Sequence, residues 1–269
     1  MKNYLIKIAS LLLFTCLCHY ANAQFNGGIK GGMSIPNLSS GSDNNPVSTG
    51  YSSRFGAAAA IFVEYELSRK ISLQTQLEYS AQGGKKNRLQ AIPLTTEMKQ
   101  LFPEGQAPDY LYADYKSVAR LNYLMLPVLV KFNFNLSKHY SFYLDAGPFA
   151  SYLLNAKNIT SGFSSLYLDE KGTQPLPGTE QSFAHKENVT GDLYRMNTGI
   201  EGNAGLTICT SIGNFIVEAG GNYGFKNIQK NSENGKNHTG AASVMLGYSI
   251  PIIGKGFLYS TKCTCKRGR

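Results

Sequence analysis

The stretch YSFYLDAGPFASYLLNA, Tyr140 to Ala156, decides the fold. Taken at every second residue, one face reads Tyr140, Phe142, Leu144, Ala146, Pro148, Ala150, Tyr152 and Leu154. The other reads Ser141, Tyr143, Asp145, Gly147, Phe149, Ser151, Leu153 and Asn155. Alternation with period two is the signature of a strand that is greasy on one side and mixed on the other. Such a strand must turn its apolar side toward either a protein core or lipid.

The same pattern recurs on both sides of this stretch, each time bounded by Gly, Asn, Ser or Pro clusters. Upstream, strands are expected near Phe25 to Ile35, Arg54 to Leu67, Ile71 to Ala81 and Leu121 to Asn135. Downstream they are expected near Tyr194 to Cys209, Phe215 to Phe225 and Gly240 to Ile250. Eight strands result. The links between the second and third, fourth and fifth, and sixth and seventh are only a few residues long. The others, near Pro36 to Ser53, Gly83 to Arg120, Lys157 to Leu193 and Lys226 to Thr239, are long and polar. Short turns at one end and long loops at the other are the arrangement of an outer-membrane barrel. The expected fold is therefore all-β: an eight-stranded antiparallel up-and-down transmembrane β-barrel with short periplasmic turns and long extracellular loops.

Register follows from the same pattern, because a slip of one residue would set apolar side chains opposite polar ones. A turn around Lys138 pairs Phe134 with Phe142, Phe132 with Leu144 and Lys131 with Asp145. A turn centred on Arg69 pairs Tyr65 with Leu73 and Glu64 with Gln74.

Three features point the apolar face at lipid. The opposite face carries charges of both signs, Lys30, Glu64, Glu78, Lys131, Asp145, Arg195, Glu201 and Glu218, which suit a lumen network. On a lipid face near the midplane, Lys or Arg would cost about 2–4 kcal/mol. Phe142 and Tyr152 are ten residues apart on the apolar face, about 25 Å at a tilt of about 40°, which is the height between aromatic girdles. The strands also exceed the roughly 9–11 residues that span a bilayer. An eight-stranded interior is just filled by side chains, so these charges are expected to form a packed ion-pair core rather than a conduction path. Pro127 and Pro148 fall inside strands, where each removes a ladder donor, and a bulge or lumen water is expected beside them. A soluble lipocalin-like carrier would show the same alternation, but its loops would not be so uneven.

Composition agrees with this reading. The 269 residues include 17 Tyr, 14 Phe, 28 Gly and no Trp, and only 16% are charged, against about 25% in soluble domains. Residues 1–23 read as a signal peptide: Lys2 and Lys7 precede the apolar run Ile8 to Leu17, and Ala21-Asn22-Ala23 offers small residues for cleavage before Gln24. The barrel is expected over 24–252, followed by a basic tail at 253–269. Cleavage would remove two lysines, lowering the net charge from +9 to +7, and would leave Cys209, Cys263 and Cys265, which form neither a disulfide framework nor a zinc-ligand spacing. The tail KCTCKRGR reads as a solvated end rather than a nucleic-acid site, since an exported chain seldom meets nucleic acid.

The segments YLMLPVLVKFNF (Tyr123 to Phe134) and YLDAGPFASYLL (Tyr143 to Leu154) resemble the PorT-type outer-membrane β-barrel family of Bacteroidota, as does a leader ending Ala-Asn-Ala. The resemblance covers about Gln24 to Ile250 and implies a barrel. Its implied partners are outer-membrane lipid, the barrel-assembly machinery, and envelope or secretion-apparatus proteins, because some members look like parts of a secretion and gliding apparatus. It brings no catalytic residues. The chain departs from the pattern at its end, where about nineteen residues follow Ile250.

Catalytic chemistry is thinly represented. His185 and His238 lie in loops with Asp169, Glu187 and Asp192, but in no triad or metal-ligand spacing, and His139 belongs to the opposite end. The glycines of GGIKGG lack the strand-to-helix setting of a phosphate loop. Asn158-Ile-Thr160 and Asn188-Val-Thr190 read as loop composition. No cofactor or metal is expected. Two function classes stand: a non-enzymatic barrel acting through its loops in interaction, assembly or structure, and an outer-membrane barrel enzyme acting on lipid or peptide at the outer surface.

Overall fold

The computed structural model describes residues 24–253 apart from 43, 95 and 101. The expected signal peptide and the tail with Cys263 and Cys265 lie outside the described residues. Eight long strands run β1 (Gln24–Ser39), β2 (Gly56–Glu66), β3 (Ile71–Lys86), β4 (Lys116–Asn135), β5 (Tyr140–Ser161), β6 (Met196–Cys209), β7 (Asn214–Gly224) and β8 (His238–Ile253). Each pairs antiparallel with the next, and β8 pairs with β1, so the sheet closes on itself and leaves no edge along the ring. All eight expected strands are present. The expected registers are observed: Phe134 meets Phe142, Phe132 meets Leu144, Lys131 meets Asp145, Tyr65 meets Leu73 and Glu64 meets Gln74.

The short turns share one device. Ser68 and Ser137 each accept two backbone N–H bonds through Oγ, at 3.1–3.3 Å, and hold the chain as it reverses. Thr210 closes the third turn through bonds to the Gly213 carbonyl.

Alternation separates the two faces cleanly. Ile29 is 62% exposed, and Ile61, Leu126, Ile200 and Leu246 are likewise exposed, while Lys131 and Glu78 on the opposite face are 2% exposed. A face that is apolar and uncovered around a closed ring, above an interior that holds the charges, is a lipid-facing surface.

Of the bulge or lumen water expected beside the prolines, no bulge is found. The β3–β4 pairing skips Gln76 and Leu77, opposite Pro127 and Leu126, and the β4–β5 pairing skips Val128 and Leu129, opposite Pro148 and Gly147. Register is unchanged across both gaps. Each proline lacks a donor toward one neighbour only, and the ladder on its other side is intact, with Pro127 paired to Phe149 and Pro148 to Ile200. The register shift in β4–β5 lies further out, between Asn122 and Tyr123.

β3, β4 and β5 continue beyond the lipid-facing belt. A short strand, His185–Asn188, adds to the outer end of β5, and the hairpin Leu89–Pro93 with Tyr110–Asp114 rises above β3 and β4.

Candidate functional site

The lumen is layered. In its periplasmic half, Asn26 donates to Glu66 at 2.8 Å, Ser72 to Glu64 at 2.6 Å, and Asn133 to Ser72 at 2.9 Å. Two ion pairs sit above. Lys131 Nζ meets Glu64 Oε2 at 2.9 Å, reaching from β4 to β2 across β3, where Gln74 also accepts from it at 3.4 Å. Lys30 Nζ meets Glu218 Oε1 at 2.6 Å, reaching from β1 to β7 across β8. The second oxygen of Glu218 accepts from the Tyr143 hydroxyl, and the Lys131 ammonium lies 4.0 Å from the centre of the Tyr143 ring. Small residues on the crossed strands make these reaches feasible: a Cβ on Gly205 would strike the Tyr143 ring, and one on Gly247 would strike the Lys30 stem.

A chain of amides then ties opposite walls together. Gln74 donates to Gln76, and Gln76 to both Glu78 at 2.9 Å and Glu201 at 3.1 Å. Asn203 donates to Glu201 at 3.1 Å and to Asp145 at 2.9 Å. Gln82 on β3 donates to Asn222 on β7, strands four places apart in a ring of eight. Of the charges expected in the lumen, Lys30, Glu64, Glu78, Lys131, Asp145, Glu201 and Glu218 are buried there and belong to this one network.

Arg195 does not. It precedes the first ladder residue of β6 and is exposed, with its guanidinium 5.8 Å from the Tyr152 ring and Nη1 3.4 Å from the Leu153 carbonyl. Parity along β6 placed it inward, but the chain bends at Arg195, whose carbonyl still accepts from Leu153 N at 2.8 Å, and Leu193 fills the interior instead.

The outer half of the lumen is apolar, which alternation alone did not reveal. Leu38, Leu121, Tyr123, Met125, Phe149, Leu153 and Ala156 pack with Leu193 and Ile228 from the third and fourth outer loops. Those loops are stitched in: Tyr194 N donates to Ile228 O at 2.9 Å, Lys230 N to Asp192 O at 3.0 Å, and Asn237 Nδ2 to Ser48 O at 3.0 Å. A cavity of about 180 Å³ remains beneath the loops, lined in part by Val47, Tyr51, Asn158 and Asp192. Burial, with a smaller contribution from Tyr115, pushes the Tyr51 hydroxyl up to about 12. The signal for this plug was the run YLMLPVLV, Tyr123 to Val130, which is apolar on both faces.

Above the mouth, the second and third outer loops form a lobe with its own core of Leu94, Leu111, Ala113 and Leu166. Tyr112 and Tyr167 exchange backbone bonds at 2.9 and 2.7 Å, and the Tyr115 and Phe183 rings stack at 4.8 Å. Phe163, 69% exposed, lies on the surface of this lobe.

The candidate catalytic groups are scattered. Asp169 spends its carboxylate on its own turn, accepting from the backbone N–H groups of Lys171, Thr173 and Gln174 and from the Thr173 hydroxyl. Desolvation raises its proton affinity, yet these bonds hold it below the usual carboxylate range. His238 stacks on Tyr223. Among the described residues, neither His185 nor His238 is hydrogen-bonded to Asp169, Glu187 or Asp192, and no group of three His, Cys, Asp or Glu is placed to hold a metal.

The family model described as outer membrane protein beta-barrel domain matches residues 20–230. No curated protein matches. Among solved structures, the chain is similar to Ail, the attachment invasion locus protein of Yersinia pestis, solved in complex with the heparin analogue sucrose octasulfate. That likeness has 12% identity and a TM-score of 0.36, over 84% of this chain and 99% of that one. It is also similar to Neisserial surface protein A (11%, TM-score 0.34, 85% and 97%) and to the N-terminal β-barrel domain of Pseudomonas aeruginosa OprF (10%, TM-score 0.32, 85% and 99%). With its closed ring of eight strands and a family match over most of its length, the chain belongs to the outer membrane protein beta-barrel domain family and is a small barrel of the outer membrane.

Proposed function

We propose that the chain is a non-enzymatic interaction or assembly component that presents its folded outer lobe to envelope or secretion-apparatus proteins. The observation that carries this reading is the construction of the second and third outer loops. They continue the β3–β5 ladder, bridge to each other and bury an apolar core of their own. A solvated connection needs none of this, whereas a surface that must keep one shape does. The link to secretion rests on the PorT-type resemblance of Tyr123 to Phe134 and Tyr143 to Leu154. The wall-to-wall amide chain and the apolar plug support a scaffold that does not conduct. Replacing residues 88–115 and 163–184 by short Gly-Ser linkers tests the proposal. The barrel should still migrate as a heat-modifiable band while crosslinking to its envelope partners is lost. Full function and unchanged crosslinking after lobe removal would overturn it.

A further inference from the structure

The outward face of β2–β5 changes character above the lipid-facing belt. On β4, Phe134 to Leu124 spans the belt, and Arg120 lies four residues beyond Leu124, roughly 10 Å higher at about 3.3 Å per residue and about 40° of tilt. The belt itself covers about 25 Å of a hydrocarbon core of about 30 Å, so Arg120 stands about 7–8 Å above the core, at the outer edge of headgroups that add roughly 5–8 Å to each side. Arg120 is paired directly with Lys157 of β5. Like charges set opposite each other on one face are destabilising. On the other side of Arg120 stands Gly83, at φ +113, and the Arg54 side chain lies across it with Nη2 2.6 Å from the Gln82 carbonyl. Burial and the neighbouring Arg120 both press the Arg54 guanidinium below its usual range. One row higher, Lys85 and Lys186 occupy the ends of the line Lys85–Val118–Ile159–Lys186.

Four cations therefore share two adjacent rows in which no Asp or Glu faces outward, and Arg54 lies beside them. Glu187, between Lys186 and Asn188, takes the opposite side by alternation. The two ion pairs found among the described residues are both in the lumen, so none of these cations is neutralised by a carboxylate. That Arg120 and Lys157 face outward is fixed by their neighbours, because Ala119 and Asn158 line the cavity inside the mouth.

We propose that this patch, Arg54, Arg120, Lys157, Lys85 and Lys186, binds the phosphate groups of an anionic lipid of the outer leaflet. The patch is continuous with the lipid-facing belt: Arg120 and Lys157 stand at the outer edge of the headgroups, and Lys85 and Lys186, one row higher, reach down on long stems, so a phosphate there is supplied by the surrounding membrane. The exposed Arg120 guanidinium suits bidentate phosphate contact, while Arg54, whose Nη1 and Nη2 donate to the Phe55 and Gln82 carbonyls, and the ammonium groups add charge.

The test uses the full chain in neutral detergent, titrated with a fluorescent lipid A bearing two phosphates, alongside its dephosphorylated counterpart. The wild type should bind the phosphorylated lipid and discriminate against the other. The variant Arg120→Gln/Lys157→Gln/Lys186→Gln changes only exposed side chains and should keep its heat-modifiable band. It should bind about a hundredfold more weakly, given roughly a tenfold effect or less per basic residue near a charged surface. Lys226→Gln, away from the patch, should bind as wild type does. On the wild type itself, raising NaCl from about 0.1 to about 0.5 M should weaken binding severalfold. Equal affinity of the triple variant, equal affinity for the dephosphorylated lipid or indifference to salt would overturn the proposal. So would competition by millimolar inorganic phosphate, which would mark a free-anion site, or preference for a sulfated polysaccharide over the lipid, which would assign the patch to a soluble polyanion.

Discussion

The two halves of the lumen are built from the same strands yet held by opposite means. Toward the periplasm, β2, β3 and β4 turn Glu64, Glu78, Gln74, Gln76 and Lys131 inward, and every reach across a strand ends on a hydrogen bond or an ion pair. Toward the outside, β4 and β5 turn Leu121, Tyr123, Met125, Phe149 and Leu153 inward, and the loops complete an apolar core. The contrast teaches where the barrel tolerates change. A buried ionic network fixes partners one to one and fails sharply when one is removed, whereas an apolar plug loses stability in proportion to the volume deleted.

The largest effect should come from splitting an ion pair. Lys131→Met leaves Glu64 buried without its counter-charge and should cost about 3–5 kcal/mol, measured by urea unfolding in detergent. The double change Lys131→Met/Glu64→Leu should recover most of that loss. If the single and double variants unfold together, the pair does not organise the lower half. Leu153→Ala, in the plug, should cost about 3 kcal/mol with no rescue by any single partner. Gly205→Ala sets a methyl against the Tyr143 ring and should cost about 1–3 kcal/mol; an unaffected unfolding midpoint would show that the ring does not need that space. Leu111→Ala belongs to the lobe. It should open the second and third outer loops to external protease on intact cells while leaving the heat-modifiable band unchanged. Arg195→Gln should be smallest, under about 1 kcal/mol, because an exposed cation over an aromatic ring is worth little more.

The strands, their number and their registers were legible because a closed barrel enforces alternation over every paired residue, and turns as short as Ser68 to Lys70 leave little choice of pairing. Seven of the eight lumen charges followed from the same rule. Arg195 did not, because the chain bends there just before the ladder begins and turns that one side chain out. The plug was hidden for a related reason: where Leu121, Tyr123, Met125 and Leu129 face inward and Leu124, Leu126 and Val128 outward, both faces are apolar, and period two vanishes. The lobe core was obscured by separation, since Leu94, Leu111 and Leu166 meet only once two loops fold together. Beside the prolines a bulge or lumen water was expected; no bulge forms, because a proline silences one side of one rung and the ring holds the register around it.

One face of these strands meets lipid and the other a closed interior. The absence of Trp makes a direct test feasible, because a single introduced Trp reports alone under selective excitation. Leu126→Trp places the reporter on the outward face and Tyr123→Trp places it inside the plug, on the same strand three residues away. In vesicles with brominated acyl chains, the reporter at position 126 should be strongly quenched and that at position 123 spared. Equal quenching of both, or the reverse order, would mean that the outward face does not meet lipid.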